Sequence, residues 1–127
     1  SWPKVRRGAQ LFVDALQAAA GAPEDELVER LFGMLTWRSD EPPRARSELR
    51  NTIQIEPLQV HADGPLYGTR LSTVILVRRD GTASFHERDI WTADEEGRAH
   101  AGERAHERVF EFQLDVAEER TRREAAA

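Results

Sequence analysis

Apolar residues recur every three or four positions in the first third of the chain, which is the period of an amphipathic helix. The first stripe lies within residues 2–20, between Pro3 in a first turn and the stop signal Gly21. The second begins near Pro23, where three acidic residues suit the positive end of a helix dipole. The short connection predicts antiparallel neighbours. The two predicted core stripes are Val5, Ala9, Phe12, Val13, Leu16 and Ala20, then Leu27, Val28, Leu31, Phe32, Met34 and Leu35.

A β-hairpin is the strongest local signal in the remainder of the chain. Residues 74–77 form an unbroken apolar run rich in β-branched side chains, which favours a strand. Asp80-Gly81 is a preferred hairpin turn, and apolar and polar residues alternate from Thr82 to Arg88. The pattern therefore predicts two antiparallel strands joined by a tight turn.

Weaker strand signals flank this hairpin. Ile53 and Ile55 alternate with polar neighbours, which predicts a short strand with one wet face. A last strand is predicted for residues 108–116. Residues 38–50 and 92–106 show neither period and are interpreted as loops.

The order of elements, two helices and then about four strands, predicts an α+β fold. We expect two antiparallel helices packed on an antiparallel sheet. The helices would cover one face of that sheet, and a second copy of the chain in a homodimer is one candidate cover for the other. We expect one domain over residues 1–116, followed by a polar tail over residues 117–127 that is either a frayed helix or disordered.

Composition narrows the function classes. The length of 127 residues suits a single domain. A net charge of −5 argues against nucleic acid as a partner. The absence of cysteine excludes disulfides and thiolate zinc sites, and it fits a reducing compartment, so a cytoplasmic location is expected. No apolar run approaches the roughly 20 residues of a membrane span.

Polar residues at the entrance to the hairpin are the candidate site, because a rigid strand would position them for an unknown small molecule. Gly68 would allow close backbone approach, although a β-bulge is an equal alternative. Arg70 could hold a carboxylate or phosphate, although a surface ion pair with Glu87 would also explain it. The candidate ligand-binding residues are Tyr67, Gly68, Thr69, Arg70, Ser72, Thr73 and Glu87.

No catalytic or metal-binding constellation is predicted, and no cofactor. No base follows the hydroxyls of Ser72 and Thr73, which commonly fill strand edges instead. Ser1 could act as an N-terminal nucleophile with its own amine as base, but a helix rather than a strand follows it. The histidines have no metal-ligand spacing, and His86 is expected on the polar side of the hairpin. They are His61, His86, His100 and His106.

With these residues in view, the chain resembles the C-terminal part of the NRDE family, also called the transport and Golgi organization 2 family. The most specific likeness is the run from Tyr67 through Arg70 to Val74, followed by Asp80-Gly81 and by Glu87-Arg88. Trp2-Pro3-Lys4-Val5 with Gly8 resembles the opening of the family's mid-chain helix. Further matching pieces are Leu31–Leu35, Phe85 and Arg108–Leu114.

The resemblance implies the C-terminal half of an N-terminal-nucleophile-hydrolase-like αββα sandwich. The family's N-terminal half, with its cysteine and its Asn-Arg-Asp-Glu stretch, would then cover the second sheet face. Since neither feature occurs here, and Ser1 suggests a fragment boundary, no independent catalysis is expected. By analogy with related amide hydrolases, Arg70 would line the nucleophile site.

The resemblance leaves three functions open. The chain could complete an amide hydrolase whose nucleophile lies on the absent half. It could be a haem-trafficking module, since eukaryotic relatives are linked to haem mobilisation, with the four histidines as the available ligands. It could also be an interaction domain whose exposed sheet pairs with a partner chain. The Arg/Ala/Glu-rich style suggests a bacterial source.

Overall fold

The computed structural model describes residues 1–115 and 122–126. It confirms an α+β fold in which helices precede small antiparallel sheets. The three longest strands form one antiparallel sheet in the order β3–β4–β7, and two short hairpins, β1–β2 and β5–β6, stand apart from it. The elements are α1 Pro3–Ala18, α2 Glu24–Leu35, a 3-10 helix Arg46–Asn51, β1 Leu58–Gln59, β2 Leu66–Tyr67, β3 Leu71–Val77, β4 Thr82–Asp89, β5 Trp91–Ala93, β6 Ala99–Ala101, a second 3-10 helix Arg104–His106 and β7 Arg108–Gln113.

The main core lies between α2 and one face of the three-stranded sheet. Val74 of β3 is buried among Val28, Leu31 and Phe32 of α2, with Ala15 of α1 in the same cluster. Successive residues of a strand point to opposite faces, so Ser72 and Leu76 share the helix-facing side with Val74. The predicted apolar stripe of α2 is therefore confirmed as a core surface.

The predicted core face of α1 is wrong in the described structure. Phe12, Val13 and Leu16 remain between 42% and 45% exposed, whereas Ala15 is buried. The helix packs through its small residues instead, and a Cβ added at Gly8 would lie 3.5 Å from Ile53 Cδ1. The bulky stripe is therefore only partly covered by the described residues.

The predicted hairpin is confirmed. Arg78 N donates to Thr82 O at 2.9 Å, and Gly81 adopts a left-handed φ of 87° that closes the turn. Asp80 Oδ1 accepts a hydrogen bond from Thr82 N at 2.9 Å. Turn chemistry thus fixes the register in which Val77 pairs with Ala83.

Two strand predictions need correction. Ile55 and its neighbours form no strand, because their backbone bonds to irregular segments: Gln54 N donates to Trp37 O, and Ile55 N donates to the Thr69 hydroxyl. The segment interpreted as a loop, residues 92–106, instead contributes to the β5–β6 hairpin and to a 3-10 helix.

The predicted last strand is confirmed in type but ends at Gln113. The end predicted for it, Val116, lies outside the described residues. Of the predicted tail, residues 117–127, the structure describes only 122–126, which are helical.

The second face of the three-stranded sheet carries large apolar side chains and no covering layer from the described residues. Ile75 pairs with Phe85, and Phe85 with Phe110, whose ring centroid lies 6.2 Å away. Ile75 and Phe110 are 55% and 56% exposed. We call this surface the open sheet face; its apolar members are Leu71, Ile75, Val77, Phe85, Phe110 and Phe112.

Candidate functional site

A cavity of about 770 Å³ lies at one end of the open sheet face, where β2, the start of β3, the end of β4 and the β5–β6 hairpin meet. One part of its wall is apolar and aromatic, and another is charged. Its lining is Pro57, Leu66, Tyr67, Gly68, Arg70, Leu71, Glu87, Asp89, Trp91, Thr92, Ala93, Ala99 and Arg108.

Gly68 lets two irregular segments approach closely beneath this wall. A Cβ at Gly68 would lie 3.2 Å from Pro57 Cα and 3.3 Å from Ile55 O. The next residue fastens the same contact, since Thr69 N donates to Ile55 O at 2.9 Å. Backbone packing therefore favours glycine at this position, and that packing fixes where Arg70 emerges.

Arg108 is the cation of the cavity that already has carboxylate partners. Its Nε donates to Glu87 Oε1 at 2.8 Å, and its Nη2 donates to Asp89 Oδ1 at 2.9 Å. The hydrogen bond from Arg108 holds the pKa of Asp89 below its ordinary value. The hydrogen bonds to Asp89 and then Glu87 raise the pKa of Arg108. The carboxylate of Glu87 therefore pairs with Arg108 of β7, and the alternative ion pair with Arg70 does not form.

Arg70 is the cation of the cavity whose side chain has no hydrogen-bond or ion-pair partner among the described residues. Its backbone carbonyl accepts a hydrogen bond from Ile90 N at 2.8 Å, which fastens β3 to the end of β4. Its side chain is exposed, and within residues 1–115 and 122–126 it makes no hydrogen bond or ion pair. Its charge reaches Asp89 only through space, as a minor cause of that residue's lowered pKa. The guanidinium is thus available to an anion.

The predicted site residues divide into two groups. Tyr67, Gly68, Arg70 and Glu87 line the cavity. The remaining three, Thr69, Ser72 and Thr73, lie outside its lining. The Thr69 hydroxyl accepts a hydrogen bond from Ile55 N, Ser72 is buried on the helix-facing side, and Thr73 pairs with Glu87 on the open sheet face.

Sequence reasoning missed Asp89, Trp91 and Arg108. They come from three different strands, and only the sheet register and the β5–β6 hairpin bring them beside Arg70. Trp91 Nε1 is buried with no hydrogen-bond partner in the described structure. No local sequence pattern marks these residues, because none of them belongs to the segment at the entrance to the hairpin.

His86 lies within the fold and not at an exposed site. His86 lies on the helix-facing side of β4, because it pairs with the buried Val74, and not on the polar side as predicted. Its Nε2 is 3.2 Å from Ser84 Oγ, and its Nδ1 is 4.0 Å from Glu107 Oε1. Ser84 is only 1% exposed, so this arrangement offers no accessible nucleophile. No cluster of three or more metal-ligating side chains occurs among the described residues.

Comparison with known proteins assigns the chain to a family. The family model described as Transport and Golgi organisation 2 matches residues 1–92, which include both helices and the whole β3–β4 hairpin. The chain belongs to the Transport and Golgi organisation 2 family. This confirms the resemblance drawn from the residues around Tyr67 and Arg70.

Curated relatives support the same assignment over only part of their length. The Transport and Golgi organization protein 2 homolog of Bos taurus is 35% identical over 98 residues, covering 73% of this chain and 36% of that protein. The homolog of Homo sapiens is 32% identical with the same coverage. The chain thus spans about a third of the length of the curated relatives it matches. Within the described residues, every helix is too short or too polar to cross a bilayer.

Proposed function

We propose that this chain supplies one wall of a ligand-binding cavity in a Transport and Golgi organisation 2 protein, and that Arg70 holds an anionic group of the ligand there. The observation that carries the proposal is the contrast between two guanidinium groups. Arg108 is saturated by Glu87 and Asp89, whereas Arg70 lines the same cavity without a partner in the described structure. A free guanidinium beside an apolar wall suits a carboxylate or phosphate with an apolar body.

The remainder of the family chain is the proposed second wall. The relatives extend well beyond the matched segment, which is 36% of their length. The open sheet face continues from the cavity with the large side chains of Ile75, Phe110 and Phe112 exposed. A helical layer on one face and an apolar opposite face suit the outer half of an αββα sandwich, which supports an N-terminal-nucleophile-hydrolase-like fold for the whole protein.

Catalysis by the isolated chain is not part of the proposal. The described cavity lining offers Tyr67 and Thr92 as its hydroxyl groups and no histidine base beside them. A hydroxyl without an adjacent base is a weak nucleophile. We expect no turnover of amide or ester substrates by this chain, and turnover that Ser1→Ala abolishes would contradict that expectation.

Calorimetric titration with phenylacetate tests the role of Arg70, because this probe joins a carboxylate to an apolar ring. Arg70→Gln should weaken binding about tenfold, the loss expected for one charge-assisted hydrogen bond. Neutral phenylacetamide should bind the unaltered chain as weakly as phenylacetate binds the Arg70→Gln variant. Arg79→Gln is the matched control, since Arg79 is exposed on the hairpin turn and lies outside the cavity lining. Equal phenylacetate affinity in the Arg70 and Arg79 variants would refute the proposal.

A further inference from the structure

A second cavity combines three cations with two aromatic side chains. It has a volume of about 370 Å³ and lies between the start of α1, the first 3-10 helix and Tyr67, which also lines the Arg70 cavity. Its lining is Trp2, Lys4, Arg46, Ser47, Leu49, Arg50 and Tyr67. We call it the basic groove. No acidic side chain contributes to this lining, although the chain as a whole carries a net charge of −5.

The cations of the basic groove are not neutralised by ion pairs in the described structure. Lys4, Arg46 and Arg50 make no hydrogen bond or salt bridge through their side chains to any described residue. The acid of the same 3-10 helix is used elsewhere, since Glu48 Oε2 accepts a hydrogen bond from Arg44 N at 2.7 Å. Three like charges in one concave surface create a positive potential that attracts anions.

The aromatic side chains give the basic groove a flat apolar surface. Trp2 is 57% exposed and Tyr67 is 50% exposed, so both rings remain open to a ligand. Lys4 Nζ lies over the Trp2 ring, 5.4 Å from its centroid, which places a cation beside one face of that ring and leaves the opposite face for stacking. An oxyanion could therefore meet the cations while an attached planar ring stacks on an aromatic side chain.

We propose that the basic groove binds a mononucleotide. Its phosphate would be held by Arg46 and Arg50, and its base would stack on Trp2 or Tyr67. The volume falls within the range of about 300–1,000 Å³ typical of small-molecule sites. Guanidinium groups bind phosphate oxygens through paired hydrogen bonds, and every base offers a π-face to an aromatic ring. The cavity formed around Arg70 is not required for this binding.

Calorimetric titration of the 127-residue chain with 5′-AMP, adenosine and pyrophosphate separates the two halves of the proposed contact. We expect 5′-AMP to bind at least about tenfold more tightly than either adenosine or pyrophosphate, because each lacks one half. The affinity for 5′-AMP should fall as salt is raised, as expected for exposed charge pairs.

Substitutions test whether 5′-AMP binds in the basic groove. The double variant Arg46→Gln/Arg50→Gln should weaken 5′-AMP binding more than tenfold, and Trp2→Ala should weaken it several-fold. Arg79→Gln is the matched control and should leave 5′-AMP affinity unchanged. An affinity that is lost in Arg70→Gln but kept in the double variant would place the nucleotide in the neighbouring cavity and overturn the proposal. Because the altered side chains are exposed, circular dichroism and thermal melting should show an unchanged fold. Equal affinity for pyrophosphate and 5′-AMP, or 5′-AMP binding that survives the double variant, would overturn the proposal.

Discussion

At the scale of single residues, the tight backbone packing at Gly102 constrains the shape of the cavity. Its amide donates to Ile90 O at 2.8 Å, which joins the end of β6 to the end of β4. A Cβ at Gly102 would lie 2.0 Å from Asp89 O, and backbone cannot yield as a flexible side chain can. This contact holds the β5–β6 hairpin against the strand that carries Glu87 and Asp89, so it sets the geometry of the cavity.

We therefore predict that Gly102→Ala destabilises the chain by about 3 kcal/mol, since the strand and hairpin must separate to admit the methyl group. Urea unfolding followed by circular dichroism measures the change. The matched control is Gly33→Ala in α2, where an added Cβ meets open space. That change should raise stability by up to about 1 kcal/mol, the helix preference of Ala over Gly. Similar effects at both positions would rule out the packing argument.

The cavity shows which site residues local sequence patterns can predict. Arg70 could be chosen from the sequence because it lies two residues after Gly68 and directly precedes a strong strand. Asp89, Trp91 and Arg108 could not, because they are brought together by long-range pairing that no local spacing records. The same limit explains why sequence offers Glu87 as an alternative ion-pair partner of Arg70: the hairpin that relates β3 to β4 is visible in the sequence, whereas the pairing of β4 with β7 is not.

At the scale of elements, ion pairs join α2 to the strands at two points along the helix, Glu24 and Glu29. Arg78 Nε donates to Glu24 Oε2 at 2.8 Å. Arg88 Nε donates to Glu107 Oε1 at 2.9 Å, and its Nη1 donates to Glu29. The Arg88 guanidinium also lies 3.9 Å from the ring centroid of the buried Phe32. A side chain that is only 12% exposed thus links helix, sheet and core.

We predict that Arg88→Ala destabilises the chain by about 2–3 kcal/mol, because it removes the shortest ion pair of the partly buried Glu107 and the contact with Phe32. Arg30→Ala is the matched control. Arg30 pairs with Glu26 on the exposed surface of α2, so its loss should cost less than about 0.5 kcal/mol. Chemical denaturation compares the two variants, and equal costs would show that the Arg88 contacts are not coupled to the core.

The same contacts predict a loss of stability in acid. The hydrogen bond from Arg88 lowers the pKa of Glu29, and the hydrogen bond from Arg78 lowers the pKa of Glu24, both from the ordinary 4.5. A carboxyl group whose pKa is lower in the folded state stabilises that state above its unfolded pKa, and this contribution disappears as pH falls through the folded pKa.

Melting temperatures should therefore decline from about pH 5 to pH 3, and Glu29→Gln should flatten that decline. Glu95→Gln is the control, because Glu95 is an exposed turn residue without a hydrogen bond or ion pair among the described residues. A decline that is as steep in the Glu29 variant as in the control would show that this carboxylate does not contribute.

Elements were predictable from sequence where local chemistry decides them. The Asp80-Gly81 turn and the run before it fix the hairpin without help from distant residues. The bulky stripe of α1 was equally visible, but a stripe identifies the apolar side of a helix and not the surface that covers it. Gly8 and Ala15 give α1 a narrow side that packs closely, and this option leaves Phe12 and Leu16 exposed.

At the scale of the whole molecule, the described residues present two apolar surfaces without a partner: the α1 stripe and the open sheet face. Such surfaces on a folded chain mark contacts with further protein. The relatives' additional length is one source of cover, and a second copy of this chain is another. Both hypotheses predict that the isolated chain will present a hydrophobic sheet surface to solvent or to itself.

We predict that the isolated chain binds the dye anilinonaphthalene sulfonate and self-associates with rising concentration, and that Phe110→Lys reduces both. Val109→Lys is a closely matched control, because the two neighbours on β7 are 56% and 50% exposed but point to opposite faces of the sheet. Dye fluorescence and sedimentation velocity give the two readouts. Since charge and strand position are the same in both variants, an equal effect would assign the behaviour to general surface charge. An effect confined to Phe110 identifies the open sheet face as the surface that the rest of the family chain, or a second copy, covers.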